Sequence, residues 1–137
     1  MTGLVVDASL LASWVLPDED GTSADAILFA SDVSELVGPA HLAVEVSNLL
    51  LQALRRGRLS QEKLRTARLT LAELAVELNA SDFGPNWNRA AVLAERHSLT
   101  AYDAAYLELA LRTGFRLATL DKALIRAARA EGVELPA

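Results

Sequence analysis

Four acidic residues could form a catalytic site, and three of them fall where a helix is predicted to begin. Asp7, Asp103 and Asp121 occupy such helix starts, and Glu45 lies early in a helix of its own. A helix cap explains each aspartate taken alone, because Asp readily accepts hydrogen bonds from the first N–H groups of a helix. The functional interpretation therefore depends on whether the fold brings the four acids together.

Short apolar runs rich in branched residues alternate with helical patterns, which predicts an α/β fold. The expected architecture is a three-layer α/β/α domain with a central, mainly parallel sheet. Strands are predicted at 4–6, 35–39 and 116–119, and a last edge strand at 133–135. Helices are predicted at 8–16, 22–30, 40–56, 60–79, 86–97, from 100 onwards, and at 121–130. The helix at 40–56 is apolar on nearly every side and is expected to be largely buried.

A parallel sheet would bring the four acids to one edge, because right-handed crossovers place successive helix starts on the same side. Successive acids are 38, 58 and 18 residues apart. Two carboxylates about 4 Å apart repel by about 4 kcal/mol at an effective dielectric constant near 20, so such a cluster implies bound cations. Oxygen ligands without His or Cys favour Mg²⁺ or Mn²⁺ over zinc. This chemistry suits phosphodiester hydrolysis by a metal-activated water.

Length and composition predict one ordered domain over residues 1–137. The chain is 52% hydrophobic and contains no cysteine, which excludes disulfides, zinc–thiolate sites and thiol catalysis. It shows neither a signal-peptide pattern nor the roughly 20 apolar residues of a membrane span, so a cytoplasmic location without membrane contact is expected. The net charge of −5 argues against a protein that coats nucleic acid. A nuclease stays compatible with it, since cations would neutralise the acidic site.

Basic residues cluster between positions 55 and 68, where they could contact a phosphate backbone or simply cap helices and face solvent. The cluster comprises Arg55, Arg56, Arg58, Lys63, Arg65 and Arg68. His97 ends a predicted helix and is interpreted as a cap rather than a base. Thr100 and Asp103 have the spacing of a capping box, which gives Asp103 a specific structural alternative.

Four stretches, taken in order and spacing, resemble the PIN-domain family, and within it most of all the VapC-type toxin ribonucleases. They are Val5–Ser9, the pair Glu45 and Asn48, Tyr102–Ala110, and Thr119–Asp121. The resemblance spans essentially the whole chain. Its most specific part is Tyr-Asp-Ala-Ala-Tyr with Thr-x-Asp downstream.

The resemblance implies a Mg²⁺-dependent RNA endonuclease that forms homodimers and is neutralised by a cognate antitoxin protein. The metal-binding acids would be Asp7, Glu45, Asp103 and Asp121, with Ser9, Asn48 and Thr119 as supporting polar groups. Two alternatives stay open. One is a non-catalytic PIN-like domain that binds RNA or protein, and the other is a phosphatase with Asp7 as nucleophile. Phosphatases of the haloacid-dehalogenase type usually place a second Asp two residues later, where this chain has Ser9.

Overall fold

Strands and helices alternate through the first part of the chain, and helices dominate the rest. A computed structural model describes residues 2–80 and 82–136. In that part of the chain the elements are, in order, β1 (Thr2–Val6), α1 (Ala8–Val15), α2 (Thr22–Leu28), β2 (Val33–Pro39), α3 (Leu42–Arg55), α4 (Gln61–Glu73), β3 (Glu77–Asn79), α5 (Pro85–His97), α6 (Ala101–Thr113), β4 (Arg116–Ala118) and α7 (Lys122–Ala130).

The four described strands form one parallel sheet in the order β3-β2-β1-β4. In β1, Leu4 pairs with Leu36 on one side and Arg116 on the other, so this strand is central. Residues 4–6 are fully buried, as expected of an apolar strand covered on both faces. The chain adds β2 and then β3 on one side of β1, and it adds β4 on the other side. The direction of winding therefore reverses beside β1. Ligands bind at such a reversal in open α/β sheets.

Helices cover both faces of the sheet, which confirms the predicted three-layer fold. On one face α1 packs against α2, α3 and α4. On the other, α6 packs against β1, β2, β4, α5 and α7. Ala104 of α6 is completely buried, so α6 packs closely on its neighbours. Within residues 2–80 and 82–136, no helix is both long and apolar enough to cross a membrane.

The predicted helix at 60–79 was wrong in its last third. Helix α4 ends at Glu73, Ala75 has a left-handed backbone with φ of 57°, and residues 77–79 form β3. The sequence misleads here because Leu71, Leu74 and Leu78 continue the helical spacing. Pairing with β2 overrides that local pattern: Leu78 aligns with Gly38 at the edge of the sheet.

The predicted strand at 133–135 was also wrong. This segment has no strand structure, although the Leu117 N–H donates a hydrogen bond of 3.0 Å to the carbonyl of Glu134. A single bond to the edge of β4 does not make a ladder, so β4 remains the edge strand. Val133 is nevertheless buried, and the segment closes one end of the core.

Helix α3 is less buried than predicted. Leu42, Val46 and Leu50 face the core, whereas Val44 is 71% exposed. The spacing of four residues between the buried positions describes one helical face, and the remaining apolar residues lie beside or opposite it. Helix α3 therefore carries an apolar surface that this chain alone does not cover.

Close packing at Gly38, just before α3, generates a stability prediction. A Cβ atom at Gly38 would lie 2.4 Å from Cδ2 of the buried Leu42. We expect Gly38→Ala to lower the free energy of unfolding by about 1–3 kcal/mol, as overpacking in a core does. Ser34→Ala, at an exposed position of the same strand, should change it by less than about 0.5 kcal/mol. Urea unfolding of both variants measures the difference, and equal stabilities would contradict the packing described here.

Candidate active site

The carboxyl edge of the sheet brings the four predicted acids around one cavity of about 130 Å³. Its lining consists of Asp7, Ala8, Ser9, Glu45, Leu49, Asp103, Tyr106 and Asp121. The acids come from four elements: the end of β1 and the first turns of α3, α6 and α7. The predicted convergence thus occurs in the structure, at the place where the winding of the sheet reverses.

Asp7 is the most enclosed of these acids, with only 4% of its surface exposed. Its Oδ1 accepts hydrogen bonds from the Ser9 hydroxyl at 2.8 Å and from the Leu10 N–H at 3.0 Å. Its Oδ2 accepts a bond from the Thr119 hydroxyl. Burial nevertheless dominates and raises the pKa of Asp7 to about 6. Without a cation, this carboxylate is costly to ionise.

Ser9 and Thr119 do more than contact Asp7, because each hydroxyl also accepts a backbone hydrogen bond from the turn before α7. The Leu120 N–H donates to Ser9 at 3.1 Å, and the Asp121 N–H donates to Thr119 at 3.0 Å. These bonds join the start of α1 to the start of α7. Ser9 and Thr119, two of the three predicted supporting residues, therefore link the Asp7 carboxylate to the turn that carries Asp121.

Glu45 is held by two residues to which the sequence analysis assigned no role. The Tyr106 hydroxyl donates to Glu45 Oε1 at 2.6 Å, and His41 Nε2 lies 3.1 Å from the same oxygen. His41 Nε2 also lies 3.2 Å from the backbone carbonyl oxygen of Tyr102. A spacing signal existed for His41, which comes four residues before Glu45 on the same helical face. Tyr106 shares a helical face with Asp103, three residues earlier, but that spacing does not identify Glu45 as its partner.

Asn48 lies outside the cavity, on the exposed side of α3. The position four residues after Glu45, Leu49, lines the cavity instead. A step of three residues and a step of four turn to opposite sides of the starting residue on a 3.6-residue helix. The spacing of Glu45 and Asn48 therefore did not determine which neighbour of Glu45 faces the other acids.

Asp103 forms only half of the predicted capping box. The Thr100 hydroxyl accepts a bond of 3.1 Å from the Asp103 N–H, as a cap does. Within the described residues, the carboxylate does not accept the reciprocal bond from the Thr100 N–H. The pKa of Asp103 is raised, first by partial burial and then by the negative charges of Asp121 and Glu45. The acids are thus close enough to repel one another.

The donor set fits a hard divalent cation, although the side chains do not enclose one as they stand. In the described part of the chain, no three acidic or histidine groups surround a common point at coordinating distance. Asp7 and Glu45 direct their oxygens at hydroxyl donors of the protein instead. Four carboxylates around one cavity, with their mutual repulsion, match the oxygen ligands that Mg²⁺ and Mn²⁺ prefer.

The other predicted polar features lie apart from the cavity. Arg58, in the basic cluster, forms a two-point ion pair with Asp18, at 2.7 and 3.0 Å. Its charge is therefore partly neutralised by Asp18, which lies in the loop between α1 and α2. His97 ends α5 as predicted and lies 2.6 Å from Glu131, so it links α5 to the end of α7.

A family model, the PIN domain, matches residues 4–130 of this chain. The chain therefore belongs to the PIN-domain family. The fold and the acid-lined edge of the sheet described above are those of a member of this family. The match leaves only short terminal segments outside it.

Individual relatives confirm the resemblance to VapC-type proteins. The chain is 36% identical over 121 residues to Ribonuclease VapC3 of Pyrobaculum aerophilum, covering 88% of this chain and 91% of that relative. Two crystal structures share the fold. PAE2754 of Pyrobaculum aerophilum gives a TM-score of 0.69 at 23% identity, covering 93% of this chain and 87% of the other. VapC20 of Mycobacterium tuberculosis, a sarcin–ricin loop cleaving toxin, gives a TM-score of 0.68 at 17% identity, covering 91% of this chain and 95% of the other.

The raised pKa of Asp7 predicts how stability depends on pH in the metal-free protein. Between its ordinary value of 3.8 and about 6, the folded state keeps a proton that the unfolded chain has lost. The Asp7 contribution to the free energy of unfolding therefore falls as pH rises through this window, by about 3 kcal/mol in all. The free energy of unfolding of Asp7→Asn should not show this decrease, because the Asn side chain does not ionise.

Urea unfolding of the parent and Asp7→Asn in EDTA, from pH 4 to pH 7, measures the contribution as a difference between the two proteins. The free energy of unfolding of the variant, relative to that of the parent, should increase as pH rises. A constant difference across this range would show that Asp7 ionises normally in the folded state.

Proposed function

We propose that this protein is a divalent-metal-dependent endoribonuclease that hydrolyses RNA phosphodiester bonds and acts as the toxin of a toxin–antitoxin pair. The observation that carries the proposal is the convergence of four acids on one cavity in a PIN-domain chain. The identity to Ribonuclease VapC3 over most of both chains supports RNA as the substrate. The net charge of −5 makes local contacts at this edge more important for RNA binding than the overall field.

Each acid has a role in this proposal that follows from its surroundings. Asp7, Glu45, Asp103 and Asp121 would hold Mg²⁺, or Mn²⁺ in its place. A cation held there would lower the pKa of a water to make the nucleophile, and a second cation, if present, would stabilise the leaving oxygen. Ser9 and Thr119 orient Asp7, and Tyr106 orients Glu45. The hydroxyls of Ser9, Thr119 and Tyr106 all donate to these carboxylates, so in this proposal they position metal ligands and a water is the nucleophile.

The alternative functions fit the site less well. A non-catalytic domain would gain nothing from gathering four carboxylates at one cavity, where burial and then the charges of neighbouring acids raise the pKa of Asp103. A phosphatase would need Asp7 to attack phosphorus, yet both oxygens of this enclosed carboxylate already accept hydrogen bonds. Hydrolysis by a metal-activated water avoids both difficulties.

Cleavage of a single-stranded RNA should require Mg²⁺ or Mn²⁺ and stop when EDTA is added. Asp103→Asn should reduce the rate by orders of magnitude, because it removes a ligand charge with little change of shape. Glu62→Gln, at an exposed position of α4, removes an equal charge away from the cavity and should cleave like the parent. Rates measured on a labelled oligonucleotide decide this. Cleavage that survives chelation would exclude the metal mechanism.

Thermal melts separate a site acid from a structural cap. If Asp103 caps α6, Asp103→Asn should cost about 1 kcal/mol of stability. If it belongs to the metal site, its removal relieves repulsion, so in EDTA the variant should melt at or above the parent. Added Mg²⁺ should then stabilise the variant less, since a ligand of the folded state contributes RT ln(1 + [L]/Kd). A lower melting temperature in EDTA with an unchanged gain from Mg²⁺ would assign Asp103 a structural role.

The proposed homodimer has a candidate surface in an apolar groove of about 310 Å³. The groove lies between α3, α4 and β3, and its lining includes Val46, Leu50, Leu71, Val76 and Leu78. Leu78 is 42% exposed, and Leu69 on α4 is 62% exposed. Residues 60–79 therefore carry apolar surface that one copy of the chain does not cover.

We expect Leu78→Glu to shift the protein from dimer to monomer, because a charge in an apolar interface is left without a partner. Val92→Glu is the matched control, since Val92 is 50% exposed on α5 and does not line the groove. Sedimentation at micromolar concentration measures the mass of both. A monomeric parent would contradict the homodimer, and a dimeric Leu78→Glu variant would place its interface elsewhere.

The antitoxin is expected to neutralise the enzyme by placing a basic side chain among the carboxylates, where charge-assisted hydrogen bonds are strong. A short neighbouring reading frame that encodes a DNA-binding protein would support this partner. The cytoplasmic location stays a prediction of the sequence.

A further inference from the structure

A second pocket lies beside the acid cavity, and the proposed hydrolysis gives it no role. We call it the aromatic pocket. It has a volume of about 350 Å³, compared with about 130 Å³ for the acid cavity. The residues that matter for its chemistry are His41, Asn79, Asn86, Trp87, Tyr102 and Arg112.

The aromatic pocket carries an unusual share of the exposed aromatic surface. The chain has seven Phe, Trp and Tyr residues, and three of them stand exposed at or beside this pocket. Trp87 is 52% exposed and Tyr102 is 61% exposed. Phe83 is 87% exposed and packs edge-on against Trp87, with ring centroids 5.4 Å apart. Rings left in solvent forfeit the favourable burial that aromatic side chains usually obtain, so a ligand with a flat face would suit them.

Two residues of the aromatic pocket adjoin residues that line the acid cavity. Tyr102 lines the aromatic pocket and directly precedes Asp103, which lines the cavity. His41 also lines the aromatic pocket, and its Nε2 lies 3.1 Å from Glu45 Oε1. A ligand with a phosphate at the acids can therefore extend from the acid cavity towards the aromatic pocket.

The charges of the aromatic pocket suit a neutral ring better than a phosphate. Arg112 donates from Nε to both carboxylate oxygens of Glu108, at 3.1 and 3.2 Å, so its charge is already paired. A further acid, Asp82, lies in the lining. The amides of Asn79 and Asn86 add donors and acceptors, which the edge of a ring could meet.

We propose that the aromatic pocket binds one unpaired base of the RNA, that of the nucleotide beside the scissile phosphate, by stacking with Trp87 and Tyr102. The inference rests on the proposed RNA hydrolysis and adds a specificity subsite to it. Recognition of single-stranded RNA typically uses splayed bases stacked on aromatic side chains, with hydrogen bonds to the base edges. The subsite selects for an unpaired nucleotide at the cleavage position, because a base inside a duplex cannot enter it.

Steady-state cleavage of a single-stranded RNA in Mg²⁺ tests the subsite. Loss of one base–aromatic stack corresponds to a change of about 5-fold to more than 100-fold in binding. Trp87→Ala should therefore raise KM at least about 5-fold with kcat within about 3-fold of the parent, and Trp87→Phe should restore most of the loss. Phe29→Ala, which removes an aromatic ring that is 60% exposed elsewhere, should leave both constants unchanged.

Fluorescence gives a readout that needs no cleavage. Trp14→Phe leaves Trp87 as the single tryptophan. In Mg²⁺, nucleoside 5′-monophosphates should quench Trp87 in a saturable manner, whereas ribose 5-phosphate, which lacks a base, should not. Equal effects of both ligands would show that only the phosphate binds, and would overturn the proposal.

Further outcomes are equally decisive. If the parent cleaves RNA but Trp87→Ala leaves KM unchanged, the subsite is wrong and the ribonuclease proposal stands. If Trp87→Ala converts a dimer to a monomer, the aromatic pocket is an interface between copies of this chain and the subsite is again wrong. If the parent cleaves no RNA, the proposed function fails. Base-dependent quenching of Trp87 would then still support a base-binding pocket, and its absence would overturn it.

Discussion

The hydrogen bonds to the Asp7 carboxylate hold together the edge of the sheet on which the site is built. One oxygen accepts bonds from the first turn of α1, and the other accepts a bond from the turn between β4 and α7. A backbone bond of 3.2 Å from the Asp7 N–H to the Ala118 carbonyl adds to the same junction. Capping of α1 and placement of the carboxylate in the acid cavity are therefore one arrangement at Asp7, not competing explanations. A buried negative charge is costly, and these donors offset only part of the cost.

Much of the fold followed from local sequence pattern, because strands in a parallel sheet and the helix starts after them leave strong signals. Residues 4–6 could only be a buried strand, and Asp7 and Asp121 each accept a helix N–H as predicted caps do. Strand β3 could not be predicted in this way. It has three residues, its leucine continues the helical spacing of α4, and its pairing with β2 is a long-range interaction.

The candidate site likewise contains some features that the sequence could predict and others that it could not. Which acids meet was predictable, since the topology of a parallel sheet fixes where helix starts lie. Which side chains orient Glu45 was not, because this depends on rotations about helix axes and on packing between helices. Asn48 and Leu49 illustrate the point, as adjacent residues of α3 that face solvent and the cavity respectively. Tyr106 reaches Glu45 across 61 positions of sequence, and no local pattern records that contact.

The burial of Tyr106 has a consequence for how constant the geometry of the site is. Its ring is 1% exposed, and burial together with the hydrogen bond to Glu45 raises the pKa of its hydroxyl above the ordinary value. The phenol therefore keeps its proton through neutral and moderately alkaline solution. A lysine or serine in the same place would either titrate in the alkaline range or rotate among several partners. Tyrosine, rigid and protonated, gives Glu45 one fixed anchor whose orientation is independent of the acidity of the medium.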